Sequence, residues 1–206
     1  MPGKEKELAE LEALLAEMKE MNVQLKNKIG SLEDDFIGLM IINELKLAEA
    51  GTELLRILRH DENMPGIYIT ANKPYATMVK HLEKQKVDIE GIFFIDCVSH
   101  EGKNSAIKND SCVVVDGLKE LTQLEIAFEK AIKGAKNNEI FIVLDSISTL
   151  MIYHDAKIIE RFIHSTITKI REKEGMRAFF IAVDSHENAP LITSIAQFCD
   201  KVVKID

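Results

Sequence analysis

The chain has 206 residues, 46% of them hydrophobic and 29% charged, and its 34 acidic against 26 basic side chains leave a formal net charge of −8. That composition excludes a wholly disordered chain, and the acidic balance excludes direct nucleic-acid binding, which takes a Lys/Arg-rich surface facing the phosphates. No apolar run approaches the roughly 20 residues of a membrane span, and Cys97, Cys112 and Cys199 show no metal-ligand spacing, which fits buried thiols in a reducing cytoplasm.

The first element in chain order is a heptad. With Leu8 at position a, the a residues are Leu8, Leu15, Asn22, Ile29 and Phe36, and the d residues are Leu11, Met18, Leu25, Leu32 and Leu39. All but Asn22 are apolar, which predicts a coiled-coil helix over residues 1–42. A lone Asn at an a position favours two parallel, in-register strands. The candidate oligomerisation residues are therefore Leu8, Leu11, Leu15, Met18, Asn22, Leu25, Ile29 and Leu32. The expected partner is a second copy in a parallel homodimer, or the helix of another protein. Apolar Leu14 and Met21 at g widen the stripe, so a trimer, an antiparallel pair or a helix covering its own domain stays open. Gly30 inside the pattern weakens the helix by about 1 kcal/mol relative to Ala.

Residues 61–66 (Asp-Glu-Asn-Met-Pro-Gly) break the helical texture with turn chemistry. Beyond them, within a domain assigned to residues 43–206, short β-branched runs alternate with helical patterns. The predicted strands are Gly66–Thr70, Gly91–Asp96, Ser111–Val115, Glu139–Leu144, Ala178–Val183 and Lys201–Ile205. The predicted helices are Tyr75–Lys86, Leu121–Ala135, Ala156–Glu174 and Leu191–Phe198. Runs such as Ile140-Phe-Ile-Val-Leu144 are apolar throughout, as central parallel strands covered on both faces are. The alternation predicts an α/β fold with a mostly parallel, doubly wound sheet. Ligands of such a sheet sit at the carboxyl ends of the strands, which directs attention to residues 70–73, Asp96, residues 145–148 and residues 184–187.

The stretch Phe141-Ile-Val-Leu-Asp145-Ser146-Ile-Ser-Thr-Leu150 resembles the Walker B segment of RecA-type ATPases, whose strand-end Asp holds Mg²⁺ through water. Gly66–Thr70 followed by a helix, Ile89–Asp96, and Ile195–Asp206 are similar in order and spacing to strands of the RadA and KaiC branch of that family, an archaeal-type pattern. The resemblance spans about residues 44–206 and implies a RecA-like fold. Its departures bear on activity. A P-loop, Gly-x-x-x-x-Gly-Lys-Ser/Thr, is absent. The corresponding stretch, Ile42–Leu55, keeps only Gly51-Thr52, and Glu44 and Glu49 would repel phosphate. The KaiC-like branch also implies a catalytic Glu after the second strand, where this chain reads Thr70-Ala-Asn72-Lys-Pro74.

Asp145, Ser146, Gly51 and Thr52 thus form at most a vestigial nucleotide site. The expectation is a non-catalytic cytoplasmic scaffold or regulatory protein with no cofactor, no catalytic residue and no resident metal, partnered by itself or by another RecA-like ATPase. The alternative is a nucleotide-dependent ATPase or switch with a non-standard phosphate site. A divalent site from Asp145, Asp184 and His186, or a triad of Ser146 or Ser185 with His186, lacks the repeat spacing or strained turn that such chemistry carries. The loop His100–Asn109 is the longest irregular stretch, and its composition names no partner.

Overall fold

The structure is a computed structural model and describes residues 16, 19–29, 35–99, 110–116, 118–135 and 139–205. Seven strands are described: β1 (Phe36–Ile42), β2 (Gly66–Thr70), β3 (Ile92–Asp96), β4 (Cys112–Val114), β5 (Ile140–Asp145), β6 (Met176–Val183) and β7 (Lys201–Ile205). They form one sheet in the order β4-β3-β2-β5-β6-β1-β7, every pair parallel. The doubly wound α/β architecture expected from the alternation is the one observed.

The helices are α1 (residues 19–29), α2 (Leu47–Arg56), α3 (Tyr75–Lys84), α4 (Leu121–Gly134), α5 (Ile147–Leu150), α6 (Ala156–Arg171) and α7 (Ala189–Ala196). A π-helical turn, Ile57–Asp61, prolongs α2. Two apolar layers follow from strand periodicity, in which alternate side chains face opposite ways. Ile37 and Leu39 of β1, Ile67 and Ile69 of β2, and Ile142 and Leu144 of β5 pack with α4, α5, α6 and α7. Phe36 and Met40, Tyr68, and Phe141 and Val143 pack with α1, α2 and α3. Connections leaving β1 and β6 go to opposite faces, as do those leaving β2 and β5. The sheet therefore carries two switch points, and a crevice opens at the carboxyl ends of each pair.

Two close contacts fix local details. Gly66 lies so near the ring of Phe141 that an added Cβ would sit 2.4 Å from it, so the first position of β2 tolerates no side chain. Gly175, with φ +80°, turns the chain into β6 in a conformation that L residues rarely adopt.

The N-terminal segment departs from its expectation in two ways. Residues 36–42, placed in the coiled coil with Phe36 at a and Leu39 at d, are strand β1, paired on both sides by β6 and β7. Phe-Ile-Gly-Leu-Met-Ile-Ile is apolar at every position, and a continuous apolar run satisfies a heptad and a buried strand equally. The available pairing partners decide. Residues 19–29 are helical, as the heptad predicts, but Met21, Leu25 and Ile29 are buried in the chain's own core, at 5%, 0% and 3% exposure. Asn22 donates its Nδ2 to Glu53 Oε2 of α2 at 2.7 Å, and Lys28 Nζ donates to the Lys204 carbonyl of β7 at 2.5 Å. For this stretch, the helix that covers its own domain replaces the coiled-coil seam. Leu8, Leu11, Leu15, Met18 and Leu32, and the loop 100–109, lie outside the described residues.

Candidate functional site

Asp145 ends β5 opposite Thr70 of β2, and its side chain emerges on the α2 face of the sheet. It is 7% exposed. Tyr68 donates its hydroxyl to Oδ2 at 2.6 Å, and Asn72 donates Nδ2 to Oδ1 at 2.7 Å. Tyr68 reaches Asp145 because both side chains project from the same face of adjacent strands.

The polar chain continues in one sense. Thr149 donates its hydroxyl to Asn72 Oδ1, and Ser146 Oγ lies 3.1 Å from Thr149 Oγ1. A hydroxyl has one proton, so with the Thr149 proton committed to Asn72, Ser146 is the donor. Protons therefore run from Ser146 to Thr149 to Asn72 to Asp145, and from Tyr68 to Asp145, whose two oxygens both accept. Ser146 also accepts from Thr149 N at 3.4 Å as the N-cap of α5. Burial pushes the Asp145 carboxyl above the ordinary carboxylate value, opposed by the Tyr68 and Asn72 hydrogen bonds and the Lys73 charge. The Tyr68 hydroxyl is raised well above its usual value by burial and by the adjoining carboxylate.

The other predicted residues lie beside this network with different roles. Gly51 is inside α2 rather than in the loop before it, and a Cβ there would lie 3.2 Å from the Tyr68 hydroxyl and 3.7 Å from Asp145 Oδ2. The bare glycine lets α2 press directly on the Tyr68–Asp145 pair. Thr52 donates its hydroxyl to the Ala48 carbonyl at 2.8 Å. Its 3.1 Å contact with His81 Nε2 of α3 must then have the imidazole N–H as donor, which fixes the tautomer. Burial lowers the His81 pKa, and nearby Lys73 and Lys84 lower it further, while Glu49 works the other way. Sequence reasoning missed Tyr68, Thr149 and His81, and it reached Asn72 only as part of the strand-end stretch that lacks a catalytic Glu. The available signal was Tyr68 itself, a polar handle in the otherwise apolar run Ile67–Ile69.

The remaining strand ends are spoken for. Asp96, fully buried, accepts from Tyr75 N, Val98 N, Ser99 N and the Ser99 hydroxyl at 2.7–2.9 Å, which anchors the start of α3. Asp184 pairs with Lys204 at 2.7 Å, His186 is exposed, and Ser185 accepts from Asn188 N. Among the described residues no three His, Cys, Asp or Glu side chains gather as a metal site. Burial pushes the Cys97, Cys112 and Cys199 thiols up to about 12, so they are inert at neutral pH.

A magnesium nucleotide does not fit the residues present. A phosphate cradle needs converging backbone N–H groups in a long Gly-rich loop ahead of a helix. Here only residues 43–46 separate β1 from α2, and they close on themselves. Asn43 Oδ1 accepts from Leu45 N at 3.0 Å, and Asn43 O accepts from Lys46 N at 2.9 Å. Glu44 opens this turn and Glu49 lies in the first turn of α2, with Oε2 buried and without a hydrogen-bond partner. Both oxygens of Asp145 are already engaged.

Comparison with known proteins fits this fold. Residues 47–205 match the family described as "Family of unknown function (DUF7504)". The chain belongs to that family. No curated protein matches it. Among solved structures it is similar to a KaiC-like protein from the hyperthermophilic archaeon Pyrococcus horikoshii, with a TM-score of 0.55, 15% identity, and coverage of 83% of this chain and 71% of that one. It is also similar to an uncharacterised P. horikoshii protein in complex with an unknown peptide, with a TM-score of 0.58, 12% identity, and coverage of 87% and 81%. A third P. horikoshii protein gives a TM-score of 0.58 at 9% identity over 83% and 82% of the two chains. At these identities the likeness is one of fold, the parallel α/β sheet that this DUF7504 chain shares with those proteins.

Proposed function

We propose that this DUF7504 protein is a non-catalytic assembly or regulatory protein, a RecA/KaiC-like domain without ATP turnover that self-associates through its N-terminal segment. The observation that carries the reading is the closed state of Asp145. The carboxylate that would face a magnesium ion in an ATPase of this fold accepts from Tyr68 and Asn72 and lies against the backbone of α2. The short, self-bonded turn after β1 offers no phosphate cradle, and Asn72 occupies the region where a catalytic carboxylate is implied by the resemblance. The partner class is protein. Leu45, Ile152, Tyr153 and Ile158, exposed by 89%, 75%, 44% and 39%, lie around the carboxyl edge, where a nucleotide enzyme would present polar groups. The peptide held by one structurally similar protein supports the same class of partner.

Two measurements test the reading. Calorimetry with ATP and Mg²⁺ is expected to give no binding tighter than about 1 mM, an affinity worth only about 4 kcal/mol. Hydrolysis by the purified chain that vanishes in Asp145→Ala would overturn it in favour of a nucleotide-dependent switch.

A further inference from the structure

Beside the closed Asp145 network, the crevice at the carboxyl ends of β2 and β5 holds two opposite charges that do not pair with each other. Glu49 stands in the first turn of α2, three residues before Thr52, and Thr52 touches His81 of α3 at 3.1 Å. Lys73 stands in the turn that leaves β2, next to Asn72, whose amide is bonded to Asp145. The Thr70 hydroxyl closes that turn by donating to the Lys73 carbonyl at 2.6 Å. The charges of Glu49 and Lys73 both act on the His81 imidazole, and that of Lys73 also acts on Asp145. Helix α2, helix α3 and the β2–α3 turn therefore bring all three side chains to one crevice, at a switch point where ligands of such sheets sit.

Each of the three has bonding capacity left over. Glu49 Oε2 is buried and accepts no hydrogen bond, a costly state for a carboxylate. The chain satisfies its other buried carboxylates nearby: Asp96 accepts from four donors, and Asp145 and Glu53 from two each. Lys73 is bonded through its backbone N and O, and among the described residues its ammonium has no ion-pair partner. With Nε2–H donating to Thr52, His81 Nδ1 presents a lone pair. Glu49 and His81 thus call for N–H donors, and Lys73 calls for an anion. A metal ion gives Lys73 nothing and is repelled by it, and a simple anion is repelled by Glu49. One small molecule with an ammonium and a carboxylate answers both.

We propose that this crevice binds a small zwitterion of the amino-acid type, with its ammonium on Glu49 beside His81 and its carboxylate on Lys73. The site goes beyond the assembly role proposed above and does not depend on it.

The test is calorimetry on the full chain with glycine, β-alanine and 4-aminobutyrate, which hold the two charges at increasing separation. At least one is expected to bind more tightly than about 1 mM. Blocking either charge of that ligand, as its N-acetyl derivative or its amide, is expected to weaken binding about tenfold or more, the effect of one lost charge-assisted hydrogen bond. Glu49→Gln and Lys73→Met are each expected to weaken it by a similar factor. Both side chains are half-buried, and neither substitution removes a hydrogen bond that the fold uses. If a variant nevertheless does not fold, the blocked ligands decide on the wild-type chain. Failure of all three ligands to bind more tightly than about 1 mM overturns the site. Equal binding of a blocked ligand, or unchanged affinity in either variant, overturns it as well. None of these results bears on ATP binding, so the assembly reading stands or falls separately.

Discussion

Asp145 illustrates how a single buried carboxylate can be held by direction as much as by distance. Its two oxygens accept from an aromatic hydroxyl and an amide, one donor to each oxygen. Removing one leaves a desolvated oxygen unpaired, at a cost of about 2–3 kcal/mol. Tyr68→Phe is therefore expected to lower the stability read from urea unfolding by that amount. In an Asp145→Ala background the same substitution should cost less than about 1 kcal/mol, because the acceptor is gone and the difference measures the pair. An equal cost in both backgrounds would mean that Tyr68 acts by packing alone. Gly66 is the opposite case, a residue defined by what it lacks. With the Phe141 ring 2.4 Å from an added Cβ, Gly66→Ala is expected to cost about 3 kcal/mol by overpacking. The penalty should shrink when Phe141→Leu makes room.

At the scale of elements, the contacts of α1 distinguish two uses of the same apolar stripe. Leu25 is fully buried against the chain's own core, so Leu25→Ala is expected to cost about 2–5 kcal/mol. That cost should not change when the protein concentration is varied in the unfolding experiment. A loss that grows on dilution would place Leu25 in an intermolecular seam. The pairing of α2 with α3 has a pH signature. His81 donates to Thr52, and its folded pKa is lowered, chiefly by burial, so the folded state resists protonation. The unfolded chain then binds the extra proton near the ordinary value of about 6.5, and stability falls as pH drops through that value. The urea midpoint of wild type is expected to fall between pH 7.5 and pH 5.5 by more than that of His81→Gln, whose amide can still donate to Thr52. Equal falls would remove His81 from the account.

The strands most easily read were those whose neighbours are also apolar. Ile140–Leu144 and Phe179–Val183 are covered on both faces and flanked by turn residues, so their composition leaves one interpretation. Phe36–Ile42 has the same composition, but the heptad keeps an apolar residue at a and d straight through Gly30, Ser31, Asp34 and Asp35, and the longer period absorbed both the turn residues and the strand. The site was half legible. Asp145 and its neighbours stand at a strand end where the fold rule points. Tyr68, Asn72 and Thr149 come to it through strand register and one tight turn, distances that no local pattern encodes. Gly51 was found for the wrong setting, since a glycine before a helix and one inside it differ only by where the helix begins.

For the whole molecule, the two layers on the sheet are unequal in origin. The face covered by α4, α5, α6 and α7 is closed by helices that are themselves sheet crossovers, whereas part of the other face is closed by α1, which precedes the first strand. Removing residues 1–34 would break no strand connection, yet it would uncover apolar surface over Phe36, Met40, Val203 and Ile205, which share a core with Met21, Leu25 and Ile29. It would also leave Glu53, 3% exposed, without Asn22. Newly exposed apolar surface of that kind drives association between molecules. The shortened chain is therefore expected to bind a hydrophobic dye more strongly than the full chain and to form large, polydisperse species in light scattering. An independent coiled-coil arm predicts the reverse, a compact and well-behaved monomer after its removal, and that result would show α1 to be dispensable to the domain.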